Sequence, residues 1–116
     1  MKTINARVLI LRDTSCDKWA AQCLEYDIAA QGDTLEDAMN RFERTFVGSI
    51  VLSLKNEQEP LSAFAPAPAS YFELWEKALA LQDTMPIDIP RDSLPENVLK
   101  FPDRVPRGDF HLKIAA

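Results

Sequence analysis

Gln31-Gly32-Asp33-Thr34-Leu35-Glu36-Asp37-Ala38 is the stretch that decides the fold, because it ends one kind of structure and begins another. Gly32 interrupts the apolar segment before it, and Asp33 or Thr34 is suited to cap a helix. Glu36 or Asp37 can complete a capping box, and acidic residues in the first turn favour the helix macrodipole. The apolar residues that follow recur at i, i+3, i+4 and i+7 and predict a long helix to about Leu54: Leu35, Ala38, Met39, Phe42, Phe46 and Ile50.

Three short strands are predicted before this helix. Residues 3–12 are β-branched and aliphatic, residues 18–25 form a second strand, and residues 28–31 a third. The connections between them are brief and polar, which predicts an antiparallel meander. Alternation along the first strand places four side chains on one face of the sheet, Ile4, Ala6, Val8 and Ile10, and the helix must lie on one of the two faces.

The sequence therefore predicts an α+β fold whose core is a β-β-β-α unit, a three-stranded antiparallel sheet with one long helix, over residues 1–56. Residues 57–69 are rich in proline and small residues and predict a linker. Ser70 begins a short helix over residues 70–81. Residues 82–116 carry five prolines among apolar residues, which predicts an extended arm packed on the body and ending in a strand over residues 109–115.

The long helix carries a second apolar row, formed by Val47, Val51 and Leu54. This row must pack against a second element besides the sheet. We expect that element to be the bulky face of the short helix, in the same subunit or in a partner. The predicted oligomer interface therefore consists of Val47, Val51, Leu54, Phe72 and Trp75, and we expect a homodimer or a higher even oligomer.

The chain of 116 residues has a net charge of -5 and a pI of about 4.8. This balance argues against direct nucleic-acid binding, which needs clustered Lys and Arg. It favours a basic protein partner, although the same charge could serve only solubility. Two cysteines and no recognisable secretory leader indicate reduced thiols in the cytoplasm, and no apolar run is long enough for a membrane span.

Acidic residues concentrate between Lys18 and Arg41, where no basic residue occurs. We predict that they form a negative partner-binding patch if the second turn and the helix start coincide in space. The alternative is that Asp33, Glu36 and Asp37 only cap the helix and interact favourably with its N-terminus. The predicted acidic patch consists of Glu25, Asp27, Asp33, Glu36 and Asp37.

Catalysis is not expected. The weakest alternative is a metal-dependent nuclease, and the first predicted strand has no acidic residue from Thr3 to Leu11 that could bind its metal. His111 is the only histidine, which leaves Cys23 without a nearby base and leaves too few ligands for zinc. We therefore predict no catalytic residues, no metal site and no cofactor.

The stretch from Trp19 to Ala38 resembles the core of HicB-family antitoxins, in which a strand and a Gln-Gly-Asp-Thr-Leu-Glu-like run precede the helix. The resemblance covers about residues 3–55. It implies a β-β-β-α domain that neutralises a small basic ribonuclease toxin, HicA, by covering its active site. The usual Pro-Glu-Leu-Pro-Gly turn is replaced by Leu24-Glu25-Tyr26-Asp27, and no DNA-binding domain is recognisable after residue 81.

Residues 108–114 are similar to the first strand of a ribbon-helix-helix, but the helices that should follow it are absent. The chain is therefore similar to a stand-alone HicB-like antitoxin domain. The alternative is an orphan homo-oligomeric scaffold that has no toxin partner.

Overall fold

The protein is an α+β chain, described by a computed structural model that covers residues 3–81 and 84–115. Its strands are β1 (Thr3–Asp13), β2 (Lys18–Cys23), β3 (Ala29–Gly32), β4 (Leu79–Ala80), β5 (Met85–Pro86) and β6 (Arg107–Ile114). Its helices are α1 (Leu35–Lys55), α2 (Ala69–Lys77) and α3 (Glu96–Leu99). Single 3₁₀ turns at Arg91–Ser93 and Pro102–Arg104 flank α3.

One mixed sheet holds all six strands, in the order β3-β2-β1-β6-β4, with β5 also pairing with β6. The first three strands form the predicted antiparallel meander. The predicted terminal strand exists too, but it lies inside the sheet and runs parallel to β1, with Ile4 opposite Gly108 and Ile10 opposite Ile114. The sheet is therefore larger than the three strands expected from the sequence.

Helix α1 covers one face of the sheet, as its apolar spacing predicts. Thr34 is the N-cap, and its side chain accepts a hydrogen bond from the Asp37 N–H at 3.1 Å. Phe42 and Phe46 are fully buried and contact Phe110 of β6, at ring-centroid distances of 5.5 and 5.0 Å. The face of β1 that carries Ile4, Ala6, Val8 and Ile10 is buried in the same cluster, so the core joins both halves of the chain.

Helix α2 lies on the opposite face of the sheet, so the expected contact with the second apolar row of α1 is wrong within the subunit. Trp75 is buried against Leu9 and Leu24, which point away from α1. Alternation along β1 explains the difference. This strand has apolar side chains on both faces of the sheet, so another element must pack on each face. Arg7 and Lys113 add cation–π contacts to Trp75, at 5.9 and 4.7 Å from the ring centroid.

The proline-rich arm supplies the second neighbour of α1 instead. Ile87 and Val98 are buried in the same cluster as α1, and Ile89 and Leu94 pack against that cluster. Its prolines exclude long regular elements but allow short helical turns, which explains why the arm is only partly extended. Among the described residues no helix is long and apolar enough to cross a membrane.

Candidate functional site

The structure divides the predicted acidic patch into two groups at opposite ends of the β2–β3 hairpin. Trp19 is opposite Gly32 at one end of the ladder, and Gln22 is opposite Ala29 at the other. Glu25 and Asp27 follow β2 at the second end, whereas Asp33, Glu36 and Asp37 lie beyond Gly32 at the first. Because a strand rises about 3.3 Å per residue, the groups are roughly 10 Å or more apart.

Glu25 and Asp27 have partners within the chain. One oxygen of Glu25 accepts a hydrogen bond from the Arg7 backbone N–H at 2.7 Å, and the other accepts from Arg7 Nε at 2.5 Å. Asp27 accepts from Gln22 Nε2 at 3.0 Å, and its own N–H donates to the Ala65 carbonyl at 2.7 Å. These two carboxylates therefore stabilise the turn between β2 and β3, a role that the sequence analysis did not assign to them.

The acidic group at the start of α1 lies beside a basic side chain. Asp33 pairs with Lys18, and the hydrogen bond between them lowers the pKa of Asp33 and raises that of Lys18. Thr34, not Asp33, caps the helix. Glu36 and Asp37 are exposed in the first turn, where they interact favourably with the helix dipole.

The predicted oligomer interface is also divided. Leu54 is buried in the α1 cluster, Val47 packs against that cluster, and Val51 is buried on the same helix. Trp75 and Phe72 belong to the cluster on the other face of the sheet. The structure therefore does not bring the two halves of the set together. Exposed apolar side chains occur elsewhere, notably Leu79 at 68%, Leu52 at 58% and Phe101 at 53%.

A cavity of about 600 Å³ lies at the C-terminal end of α1 and combines an apolar floor with an acidic rim. Buried residues form the floor, and the acids of the rim come from two distant segments of the sequence. The lining residues are Leu54, Glu57, Gln58, Glu59, Pro60, Val98, Asp103 and Arg104. We call this feature the α1-end cavity.

The turn that carries the rim is held tightly in an unusual backbone conformation. Glu57 and Leu61 have φ angles of 54° and 65°, in the left-handed region that is uncommon for residues other than glycine. The Gln58 N–H donates to the Ser53 carbonyl at 2.9 Å, and the Leu61 N–H donates to Ser53 Oγ at 3.2 Å. Such strain persists only where surrounding contacts enforce it, and it concentrates at functional positions.

The sequence analysis missed the α1-end cavity. Glu57 and Glu59 stand just after the long helix, but their segment was predicted to be only a linker. Asp103 belongs to the arm, and nothing local in its sequence indicates that it meets the end of α1. The two closely spaced acids were the available signal.

Cys23 and Glu43 are two further groups whose pKa values burial raises. Burial raises the pKa of the Cys23 thiol to about 11, and burial followed by the neighbouring Asp88 raises the pKa of Glu43. Within residues 3–81 and 84–115, no three side chains of His, Cys, Asp or Glu are grouped so that they could hold a metal ion.

Comparison with known proteins found no match: no family model, no curated protein and no solved structure matches this chain.

Proposed function

We propose that the chain is an antitoxin-type protein-binding module of the HicB kind, which self-associates and neutralises a small basic ribonuclease toxin in the cytoplasm. The order β-β-β-α over residues 3–55 supports the HicB-like arrangement that the sequence resemblance implies. The unpaired thiols of Cys16 and Cys23 support a reducing compartment.

The α1-end cavity is the observation that carries the proposal. A basic side chain of a partner can lay its alkyl part on Leu54 and Val98 and direct its charged head to Glu57 and Asp103. Charge-assisted hydrogen bonds of this kind are about twice as strong as neutral ones. Arg104 is the basic residue of the rim. Its guanidinium lies over the ring of Phe101, 4.8 Å from the ring centroid, and makes a cation–π contact there.

Growth rescue tests the proposal. A neighbouring gene for a basic protein of about sixty residues would be expressed alone and together with this chain. We expect the basic protein to stop growth and this chain to restore it. Rescue should fail with the double variant Glu57→Lys/Asp103→Lys and should persist with Glu73→Lys, which reverses an exposed charge on α2. Rescue by the double variant would contradict the role of the cavity.

The second candidate is a homo-oligomeric scaffold without a toxin. The exposed apolar side chains favour it, because Leu79 lies on β4 at the border of the sheet with most of its surface in solvent. Two observations together would support the scaffold: light scattering that shows an even oligomer, and the absence of a gene for a small basic protein beside the gene for this chain. A monomer at micromolar concentration would contradict self-association in both candidates.

A further inference from the structure

Strand β3 forms one border of the sheet and pairs, within the described part of the chain, only with β2. The Cys23 N–H donates to the Ile28 carbonyl at 2.9 Å, so Cys23 and Ile28 occupy a hydrogen-bonding position of the ladder, although the Ile28 N–H donates to the Tyr26 carbonyl. Antiparallel pairs alternate, which makes the pair of Ala21 and Ala30 hydrogen-bonded as well. The N–H and C=O groups of Ala29 and Gln31 therefore point outward, along the open edge.

Basic side chains of α1 line a cavity of about 500 Å³ at this edge. The lining residues are Ala30, Gln31, Arg41, Arg44 and Thr45, which include two arginines and no acid. Acids lie on two sides of this pair of arginines. Asp33, which is paired with Lys18, also feels the charge of Arg41, and Glu43 and Asp88 line a neighbouring cavity together with Arg44. Arg41 and Arg44 thus line one space together with Gln31, a residue of the open edge.

We propose that the β3 edge binds an extended acidic segment of another protein by strand addition. Backbone hydrogen bonds to Ala29 and Gln31 would supply the pairing. A partner residue opposite Ala30 would point to the α1 side of the sheet, as Ala30 does, and would meet Arg41 and Arg44. The segment that suits this edge therefore carries acidic residues at alternate positions.

Charge selects this occupant over a second copy of the chain. Two copies paired antiparallel through β3 would place α1 beside its counterpart on the same face of the joined sheet. Arg41 and Arg44 of both copies would then crowd the two-fold axis, and like charges so close oppose association. An acidic segment instead gains from both arginines.

This inference goes beyond the proposed function, because the α1-end cavity and the β3 edge are different surfaces of opposite charge. The two can fail separately. Variants at Glu57 and Asp103 leave the edge intact, and variants at Arg41 and Arg44 leave the cavity intact.

A peptide titration of the full-length, ¹⁵N-labelled chain tests the inference. The probe is a hexapeptide that alternates glutamate and valine, with blocked ends, and the matched peptide replaces each glutamate by glutamine. We expect the acidic peptide to shift the amide resonances of Ala29 and Gln31 with a Kd of about 1 mM or below. The glutamine peptide should bind about fivefold to tenfold more weakly.

Three variants assign the binding to the edge. Arg41→Gln/Arg44→Gln should abolish the preference for the acidic peptide, and Lys55→Gln, at the far end of α1, should keep it. Gln31→Pro removes an outward N–H without breaking a bond to β2, a position where proline is tolerated, so it should abolish binding of both peptides. Thermal unfolding checks that each variant is folded.

The proposal is overturned if both peptides bind equally well to the unaltered chain, or if the shifts map away from Ala29 and Gln31. It is also overturned if the chain is a dimer that Gln31→Pro converts to a monomer, because the edge would then be occupied by a second copy.

Discussion

At the scale of single residues, Glu25 connects the β2–β3 turn to β1 through both the backbone and the side chain of Arg7. Arg7 in turn lies over the ring of Phe72, 5.2 Å from its centroid, so one carboxylate orients a side chain that holds α2 on the sheet. Local sequence could not reveal this role, because the partner is 18 positions away.

Replacing Glu25 should therefore affect stability, even though its side chain is partly exposed. We expect Glu25→Gln to lower the free energy of unfolding by about 1 kcal/mol, since charge-assisted hydrogen bonds are lost but water screens part of their strength. Urea unfolding measures the change. The control is Glu73→Gln on α2, for which we expect a change within about 0.5 kcal/mol. Equal effects of both substitutions would contradict a structural role for Glu25.

The two thiols should differ in reactivity. Cys16 is exposed, whereas Cys23 is buried and its pKa is raised to about 11. Since the thiolate is the nucleophile, a thiol reagent at about pH 8 should modify Cys16 quickly and Cys23 only after denaturation. The raised pKa also makes the folded state lose stability as the pH rises from 9.0, the ordinary value, through about 11. Rapid modification of Cys23 in the native protein would contradict its burial.

At the scale of elements, those with a local periodic signal were predicted from the sequence. The long helix was predicted to about Leu54 and spans Leu35–Lys55, and the three N-terminal strands were each predicted to within two residues. The neighbours of β6 could not be predicted in this way. Its alternation indicates a strand, but parallel pairing with a strand at the other end of the chain has no local signature.

Gly108 in β6 and Gly48 in α1 provide a separate test of each of these two elements. A Cβ on Gly108 would lie 1.7 Å from the Ile4 carbonyl oxygen, because β6 approaches β1 closely there. A Cβ on Gly48, within α1, would meet nothing within 4 Å. We expect Gly108→Ala to lower the free energy of unfolding by about 3 kcal/mol or more, and Gly48→Ala to raise it by about 0.5–1 kcal/mol.

Chemical denaturation of both glycine variants gives these values. A Gly108→Ala protein as stable as the unaltered chain would show that β6 does not lie beside β1.

At the scale of the whole molecule, the acids of the candidate site come from segments that only the complete fold brings together. Glu57 follows α1, and Asp103 lies in the arm. The negative net charge indicated a basic partner, but the predicted place of contact, between Lys18 and Arg41, is internally paired at Glu25, Asp27 and Asp33. Composition gives the net charge of the chain, whereas the place of each charged surface depends on tertiary contacts.

The β-β-β-α unit should not fold without the C-terminal strand. Phe110 of β6 is buried against Phe42 and Phe46, and Ile87 and Val98 complete the same cluster. A fragment of residues 1–81 would expose this apolar surface. We expect it to lack the dispersed amide spectrum and cooperative unfolding of the full chain, which NMR and thermal denaturation would show. A fragment that unfolds cooperatively would make residues 1–81 an independent domain.

The proposed function depends on one claim, that the α1-end cavity binds a basic protein. Isothermal titration of the purified chain with the proposed small basic partner measures this claim most directly. We expect a saturable complex whose affinity falls at least about tenfold in Glu57→Lys/Asp103→Lys but is unchanged in Glu73→Lys. The absence of any complex, or equal affinity for all three forms of the chain, would contradict the claim.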